Sequence, residues 1–174
     1  MSPGLRKAVD RDDHSAGPED APITLVEYGD FECPYCGQAY PIVKAVQKKL
    51  GDRLRFVFRN FPISGSHPHA EHAAEASEAA AAQDHYWEMH DTLFENQTAL
   101  EHQDLIEYAE RIGLDVNEYR IDLESGVYAT DVEEDFSSGV RSGVNGTPTF
   151  FVNGERFDGD WTDSASFARA LLHV

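Results

Sequence analysis

The sequence is poor in lysine and unbalanced in charge. Only four lysines are present, and 14 basic residues stand against 32 acidic ones, which gives a formal net charge of −18. Binding to nucleic acid or to an anionic membrane surface requires the opposite balance, so neither is expected. An acidic, lysine-poor surface fits an ordinary acidic protein as well as one that works at high internal salt, where screening relieves self-repulsion.

Long apolar runs are also missing. No stretch approaches the roughly 18 consecutive apolar residues of a membrane-spanning helix, and the first 20 residues lack the apolar segment of a secretory signal. We therefore expect no membrane insertion and a cytoplasmic location, with a periplasmic or other extracytoplasmic location after processing as the alternative. Residues 1–20 lack periodicity, which predicts a flexible arm, and residues 21–174 suffice for one domain with a substantial core.

Cysteine is scarce, since Cys33 and Cys36 are the only two. Thiols at this spacing can close a small disulfide ring and exchange two electrons as a unit. A structural zinc site is tetrahedral, and no second Cys-x-x-Cys is present to complete it, although His67, His69 and His72 could supply further ligands. A purely structural disulfide would close too short a loop to stabilise much. A redox-active dithiol is the leading interpretation, with a metal site as the alternative.

The cysteine pair follows a predicted strand and precedes a predicted helix. The apolar run 23–28 indicates a buried strand, and residues 37–50 carry apolar side chains at helical spacing. Cys33 is expected to be the N-cap and Pro34 the first helical residue. Unpaired N–H groups and the helix dipole favour a thiolate there, so Cys33 is the expected nucleophile. Cys36, one turn further along, is expected to be more buried and to act second.

The rest of the chain predicts an α/β framework that is interrupted by helices. Residues 54–61 form a second strand, and a strand-helix-strand order predicts a parallel pair. Residues 66–143 are alanine-rich and helical, with 70–96 as one long helical stretch that buries Trp87 and Phe94. Residues 149–152 predict a strand, Asn153-Gly154 a hairpin turn and 155–158 its antiparallel partner, followed by a last helix after 162.

Several landmarks resemble a known family. They are Gly-Pro-Glu-Asp-Ala-Pro, Glu-Tyr-Gly-Asp-Phe-Glu-Cys-Pro-Tyr-Cys-Gly, His-Pro-His-Ala, Tyr-Trp-Glu-Met-His-Asp and Gly-Thr-Pro-Thr-Phe-Phe-Val-Asn-Gly. Together they are similar to DsbA-like thiol-disulfide oxidoreductases, and most of all to the thioredoxin-like domains sometimes fused to Na⁺/H⁺ antiporters. The resemblance implies a thioredoxin-like α/β fold with a mixed central sheet and an inserted helical subdomain over about 66–143.

The resemblance also implies roles for single residues. Pro148 matches the family's cis-proline, and Thr147 would offer its backbone to an extended substrate segment. Glu27 matches a buried acid that handles the proton of the second cysteine; a solvent-facing glutamate is the alternative. The dipeptide Pro34-Tyr35 departs from the Pro-His of DsbA, so a histidine that would stabilise the thiolate is missing, and the nearby Asp30 and Glu32 oppose an anion. A potential of about −120 to −230 mV is therefore expected.

The implied function is a thiol-disulfide oxidoreductase that acts on protein or low-molecular-weight thiol or disulfide substrates and is reset by a redox recycling partner. No metal or organic cofactor is implied, and a monomer is expected. His67, His69 and His72 are predicted to be structural, with one imidazole capping the helix or bonding a backbone group. The alternatives are a thiol transferase that needs Cys33 alone, a non-catalytic module that binds a partner or a metal, and a holdase chaperone.

Overall fold

A computed structural model describes residues 4–174 of the chain. Five strands and seven α-helices follow one another along these residues. In chain order they are β1 (His14–Ala16), β2 (Ile23–Gly29), α1 (Pro34–Leu50), β3 (Leu54–Asn60), α2 (Ala70–Ala81), α3 (Tyr86–Glu95), α4 (His102–Ile112), α5 (Val116–Ser125), α6 (Ala129–Arg141), β4 (Thr149–Val152), β5 (Glu155–Phe157) and α7 (Ser164–Leu171). Helices α2 to α6 all lie between β3 and β4 in the chain.

The strands form one mixed sheet with the order β1-β3-β2-β4-β5. β2 and β3 are parallel, as the strand-helix-strand order predicted, and the remaining pairs are antiparallel. β4 and β5 meet in the predicted hairpin, where Asn153 and Gly154 both have positive φ angles, of 50° and 86°. β2 is the central strand of this order, so the turn that carries Cys33 and Cys36 leaves the sheet from its middle.

The two faces of the sheet carry different clusters, because successive side chains of a strand point in opposite directions. Leu25 and Phe56 contribute to the larger core, which includes both cysteines and the inner sides of α1, α3 and α7. Val26 and Val57 belong to the smaller core on the opposite face, against Phe136 of α6. Glu27 has the same parity as Leu25, so its carboxyl group points to the face that carries the cysteines.

The predicted arm is part of the sheet over the residues that the structure describes. β1 pairs antiparallel with β3, and Leu5 N donates to Gly154 O at 2.8 Å. Arg59 of β3 is fully buried and holds the segment by hydrogen bonds to Asp13 and to the carbonyl oxygens of Lys7 and Ala8. The composition of residues 4–20 suggested flexibility, but hydrogen bonds to the buried guanidinium of Arg59 and to the edge of the sheet hold this segment in place. Residues 1–3 of the predicted arm lie outside the described residues.

The long helical stretch predicted for 70–96 is two helices. α2 ends at Ala81, and Asp84 in the turn that follows takes the left-handed conformation with φ 62°. Asp84 N donates to Ala81 O and His85 N donates to Ala80 O, each at 3.0 Å, which is the hydrogen-bond pattern of a Schellman motif. Aspartate tolerates this conformation better than most residues. The break allows α3 to turn back, so that Phe94 is buried and Trp87 packs against the larger core.

Candidate active site

Cys33 lies at the N-terminus of α1, where the sequence placed it. Cys33 is the N-cap and Pro34 occupies the first helical turn. A hydrogen bond from the Cys36 thiol, together with the backbone N–H groups of Cys36 and Tyr35, lowers the pKa of Cys33 to about 5. The helix terminus supplies both donors and a favourable dipole. Cys33 is therefore ionised at neutral pH. No disulfide joins Cys33 and Cys36 in this structure.

Cys36 has the opposite environment. Its side chain is fully buried one turn into α1. Burial and the neighbouring Cys33 and Glu27 raise the pKa of Cys36 well above its usual value, and the N–H of Asp30, 3.5 Å from its Sγ, offsets this only in part. In this position the Cys36 thiol stays protonated until Cys33 has reacted.

Glu27 is buried beneath the pair in β2, between Phe58 of β3 and Phe150 of β4. Burial, and to a smaller extent the charge of Cys33, raises the pKa of Glu27 to about 8. The alternative of a solvent-facing glutamate is wrong, since only 3% of Glu27 is exposed. A carboxyl group with this pKa can take or give a proton near neutral pH.

The loop before β4 brings Thr147 and Pro148 to Cys33. The Thr147–Pro148 peptide bond is cis, and Cys33 Sγ lies 3.5 Å from the carbonyl oxygen of Thr147. The Thr147 hydroxyl is buried and has no hydrogen-bond partner within residues 4–174. Pro34 and Tyr35 are exposed, with Tyr35 at 63%. The structure thus brings together every residue that the sequence proposed for the site.

Comparison with known proteins decides the family. The family model described as Thioredoxin matches residues 10–171. The chain belongs to the thioredoxin family. Among curated proteins, it is 49% identical over 164 residues to a protein named Na(+)/H(+) antiporter NhaA 1 from Salinispora arenicola, and 48% identical over 149 residues to Na(+)/H(+) antiporter NhaA from Herminiimonas arsenicoxydans. The two alignments cover 92% and 86% of this chain but only 25% and 24% of the matched proteins, so the chain spans about a quarter of their length.

Solved structures show which branch of the thioredoxin fold this is. Oxidised BdbD from Bacillus subtilis matches with a TM-score of 0.80 at 26% identity, covering 92% of this chain and 91% of that one. A thioredoxin-like oxidoreductase from Silicibacter pomeroyi matches with a TM-score of 0.81 at 26% identity, covering 94% and 92%. Wolbachia pipientis α-DsbA1 shares the fold, with a TM-score of 0.80 at 18% identity, covering 95% and 92%. The fold is that of DsbA-like oxidoreductases.

Within residues 4–174, no helix combines the length and apolar character needed to cross a membrane.

Two histidines of this thioredoxin-family domain have partners that the sequence did not indicate. His67 Nδ1 lies 2.7 Å from Asp30 Oδ2, and His69 Nδ1 lies 2.7 Å from Glu32 Oε2. Asp30 also accepts hydrogen bonds from the backbone N–H groups of Glu32 and Cys33. The prediction that an imidazole caps the helix or bonds a backbone group is wrong for these two, since both bind carboxylates. Both acidic residues next to Cys33 are therefore hydrogen-bonded to imidazole rings.

Of the two remaining polar side chains, His72 contacts another histidine and Gln97 binds the turn that carries Cys33. His72 Nε2 contacts His102 Nδ1 at 2.9 Å, away from the thiols. Across residues 4–174, no group of three or more His, Cys, Asp or Glu side chains is arranged to hold a metal ion. Gln97 Nε2 donates to the carbonyl oxygens of Phe31 and Cys33, each at 2.9 Å, and so fixes the turn. No pattern in the sequence pointed to Gln97, because its partners are backbone atoms more than 60 residues away.

Proposed function

We propose that this chain is a thiol-disulfide oxidoreductase in which Cys33 and Cys36 form the redox pair. The observation that carries the proposal is the placement of the two thiols: Cys33 is the N-cap of α1, where nearby donors lower its pKa to about 5, whereas Cys36 is fully buried one turn further along, where burial raises its pKa well above its usual value. Cys33 is therefore the more reactive thiol, 4% exposed at the start of α1, and the fully buried Cys36 is protected until Cys33 has reacted.

The first step is attack by the Cys33 thiolate on a substrate disulfide. The substrate S–S bond breaks, a mixed disulfide forms between Cys33 and one substrate sulfur, and the other sulfur leaves as a thiolate. Thr147 next to Cys33 would align an extended substrate segment through its backbone, in the manner of an added β-strand. Recognition of this kind reads main chain rather than sequence, so it suits a range of protein thiols and disulfides.

The second step is attack by Cys36 on the mixed disulfide. Cys36 gives its proton to the Glu27 carboxylate, its sulfur bonds to Cys33 Sγ, and the second substrate thiolate leaves. Two electrons have then passed from the dithiol to the substrate, and the reverse sequence oxidises a substrate dithiol. In the mixed disulfide Cys33 carries no charge, so one of the two causes that raise the pKa of Glu27 is removed at the moment when a base is needed.

The test is the redox equilibrium of the wild-type chain with glutathione, read by thiol trapping across a series of buffers, with the metal content measured on the same sample. A reversible two-electron transition between about −120 and −230 mV is expected. Cys36→Ser should accumulate a mixed disulfide with glutathione, and Cys33→Ser should form none through Cys36, because that thiol is buried and protonated.

Three results would contradict the proposal. The absence of a reversible transition would exclude dithiol chemistry, and stoichiometric metal in protein purified without added metal would favour a binding module. Full turnover by Cys36→Ser would indicate a thiol transferase that uses Cys33 alone. A transition on the oxidising side of glutathione would favour an oxidase or isomerase direction, and one well below it a reductase direction.

A further inference from the structure

A small cavity lies beside Glu27, between the sheet, α1 and α3. Its polar lining residues are Glu27 of β2, Lys44 and Gln47 of α1 and His90 of α3, and the others are apolar or aromatic. It offers about 10 Å³ to the centres of water-sized molecules, which is roughly the space that one buried water requires. The proposed mechanism uses Glu27 but assigns no group to which Glu27 can pass its proton.

His90 is a buried titratable residue that this mechanism does not use. It is 3% exposed, and its ring is held edge-on by Phe58 and Trp87, with centroid distances of 4.8 and 4.9 Å. Nδ1 lies 2.9 Å from Asp91 Oδ1, whereas Nε2 is buried without a hydrogen-bond partner in residues 4–174. Because a carboxylate accepts only, Nδ1 carries the hydrogen and Nε2 presents a lone pair.

Within the described part of the chain, Glu27 lacks a hydrogen-bond acceptor for its proton, and His90 Nε2 lacks a donor. The protonated carboxyl group of Glu27 has an O–H to donate, and no hydrogen bond from its side chain to the rest of residues 4–174 accounts for it. His90 Nε2 is an acceptor without a donor, and an unsatisfied buried acceptor costs on the order of 1–3 kcal/mol. Both residues line the same cavity, so one water there could accept from Glu27 and donate to His90.

On this basis, and resting on the oxidoreductase function proposed above, we infer that His90 is the proton-relay partner of Glu27 and positions it as the base for Cys36. Glu27 receives the proton of Cys36, passes it through the cavity to His90 Nε2, and returns to the carboxylate form. Asp91 accepts from His90 Nδ1 at 2.9 Å and from Lys44 Nζ at 2.7 Å; against the effect of burial, these contacts lower the pKa of Asp91, so its carboxylate stays ionised and stabilises the imidazolium that forms on His90. No oxidant or reductant enters these steps, since only a proton moves.

The charged and titratable groups around His90 determine its protonation state. Burial lowers the pKa of His90, and Lys44 and His14 lower it further, while Asp91 raises it. Tyr40 of α1 and Tyr86 of α3 have ring centroids 6.0 Å from that of His90 and stay protonated, because burial raises the pKa of both hydroxyl groups. His90 is therefore neutral at rest and able to accept a proton only briefly.

The test separates the two cysteine steps with an aromatic disulfide, dithiobis(2-nitrobenzoate), in rapid-mixing experiments on the reduced chain. The first burst of coloured thiolate reports attack by Cys33, and the second reports attack by Cys36. His90→Gln, which keeps a polar end but cannot carry a proton, should leave the first burst unchanged and slow the second roughly 10-fold near pH 7. His85→Gln, an exposed histidine just before α3, is the matched control and should change neither.

A double-mutant comparison distinguishes relay from packing. If His90 acts only through Glu27, then His90→Gln should slow the second burst in the wild-type background and add no further slowing to Glu27→Gln. Equal slowing in both backgrounds, slowing of both bursts, or no slowing in wild type would overturn the relay. A missing first burst and a missing glutathione equilibrium in wild type would instead overturn the oxidoreductase function itself.

A measurement on the wild-type chain keeps the inference testable if His90→Gln does not fold. The ¹⁵N resonance of His90 Nε2 should have the shift of a neutral nitrogen that accepts a hydrogen bond, and it should move with the titration of Glu27, whose pKa is raised to about 8. The pH range from 6 to 10 extends roughly two units on each side of that pKa. A chemical shift of Nε2 that stays constant over this range would show that the protonation of Glu27 does not affect His90.

Discussion

Cys33 and Glu27 are ionisable side chains of one site whose pKa values move in opposite directions for opposite physical reasons. Hydrogen-bond donors at the start of α1 stabilise the thiolate of Cys33, whereas burial in β2 penalises the carboxylate of Glu27. The two shifts are linked, because the charge of Cys33 contributes to the raised pKa of Glu27. A buried acid of this kind serves chemistry at the expense of stability.

The stability cost of Glu27 is measurable. Its pKa is raised to about 8 in the folded chain from an ordinary value of 4.5. The folded state therefore holds its proton more tightly than the unfolded state, and stability is lost as pH rises from the ordinary pKa to the raised one. Glu27→Gln removes this loss, so the variant should gain stability over wild type on the order of a few kcal/mol above pH 8 and little below pH 4.

Urea unfolding of the reduced proteins across this pH range gives the measurement. Cys33→Ser is the matched control: without the thiolate charge, the gain from Glu27→Gln should be smaller. A difference between Glu27→Gln and wild type that does not change with pH would show that Glu27 is not buried as an acid.

At the scale of elements, β1 and the segment before it depend on Arg59 of β3. Its guanidinium donates through Nε and Nη2 to the two oxygens of Asp13, at 2.8 and 2.9 Å, and through Nη1 to Tyr28 Oη at 2.9 Å. Two parallel N–H···O bonds to a carboxylate fix orientation as well as charge. The Arg59–Asp13 ion pair thus adds to the backbone hydrogen bonds that hold this segment on the edge of the sheet.

Asp13→Asn should therefore destabilise the fold strongly. It leaves the Arg59 guanidinium buried without its counter-charge, which costs on the order of 3–5 kcal/mol. Asp12→Asn makes the same change of charge at an exposed neighbour and should have little effect. Because Arg59 lowers the pKa of Asp13 despite burial, the wild-type contribution is present above the ordinary pKa of 3.8 and is lost as pH falls through the lowered value. Equal urea midpoints for the two variants would show that residues 4–16 are loosely attached.

On the scale of the whole molecule, the formal net charge of −18 acts against the compact state. Screening of this repulsion should raise the thermal unfolding midpoint when NaCl is increased from about 10 mM to about 1 M, because the Debye length falls from about 30 Å to about 3 Å. Circular dichroism provides the measurement. Loss of the folded spectrum on removal of salt would support adaptation to high internal salt, whereas full stability in dilute buffer would exclude it.

Sucrose is the control for this experiment, because it favours burial without screening charge. An equal rise of the midpoint in sucrose and in NaCl would mean that repulsion between surface charges is not what salt relieves.

The sequence by itself determined the features that depend on local order along the chain. Apolar runs and their spacing indicated β2, α1 and β3, Asn153-Gly154 indicated the β4–β5 hairpin, and the position of Pro34 identified Cys33 as the N-cap. These predictions hold because hydrogen bonds between near neighbours and the alternation of side chains on a strand are properties of short segments. The landmarks of the resemblance added Glu27, Thr147 and Pro148, which spacing alone would not have selected.

Only the tertiary structure decided the contacts between distant segments. Asp13 and Arg59 are 46 positions apart, and Asp30 and His67 are 37 apart. The composition of residues 4–20 suggested an arm, because nothing local reveals that a buried guanidinium requires a partner from that segment. Glu27 and His90 share a cavity only because the turn at Asp84, between α2 and α3, brings α3 back over the sheet. Burial and charge pairing act through space, and the chain records them at positions that no periodicity connects.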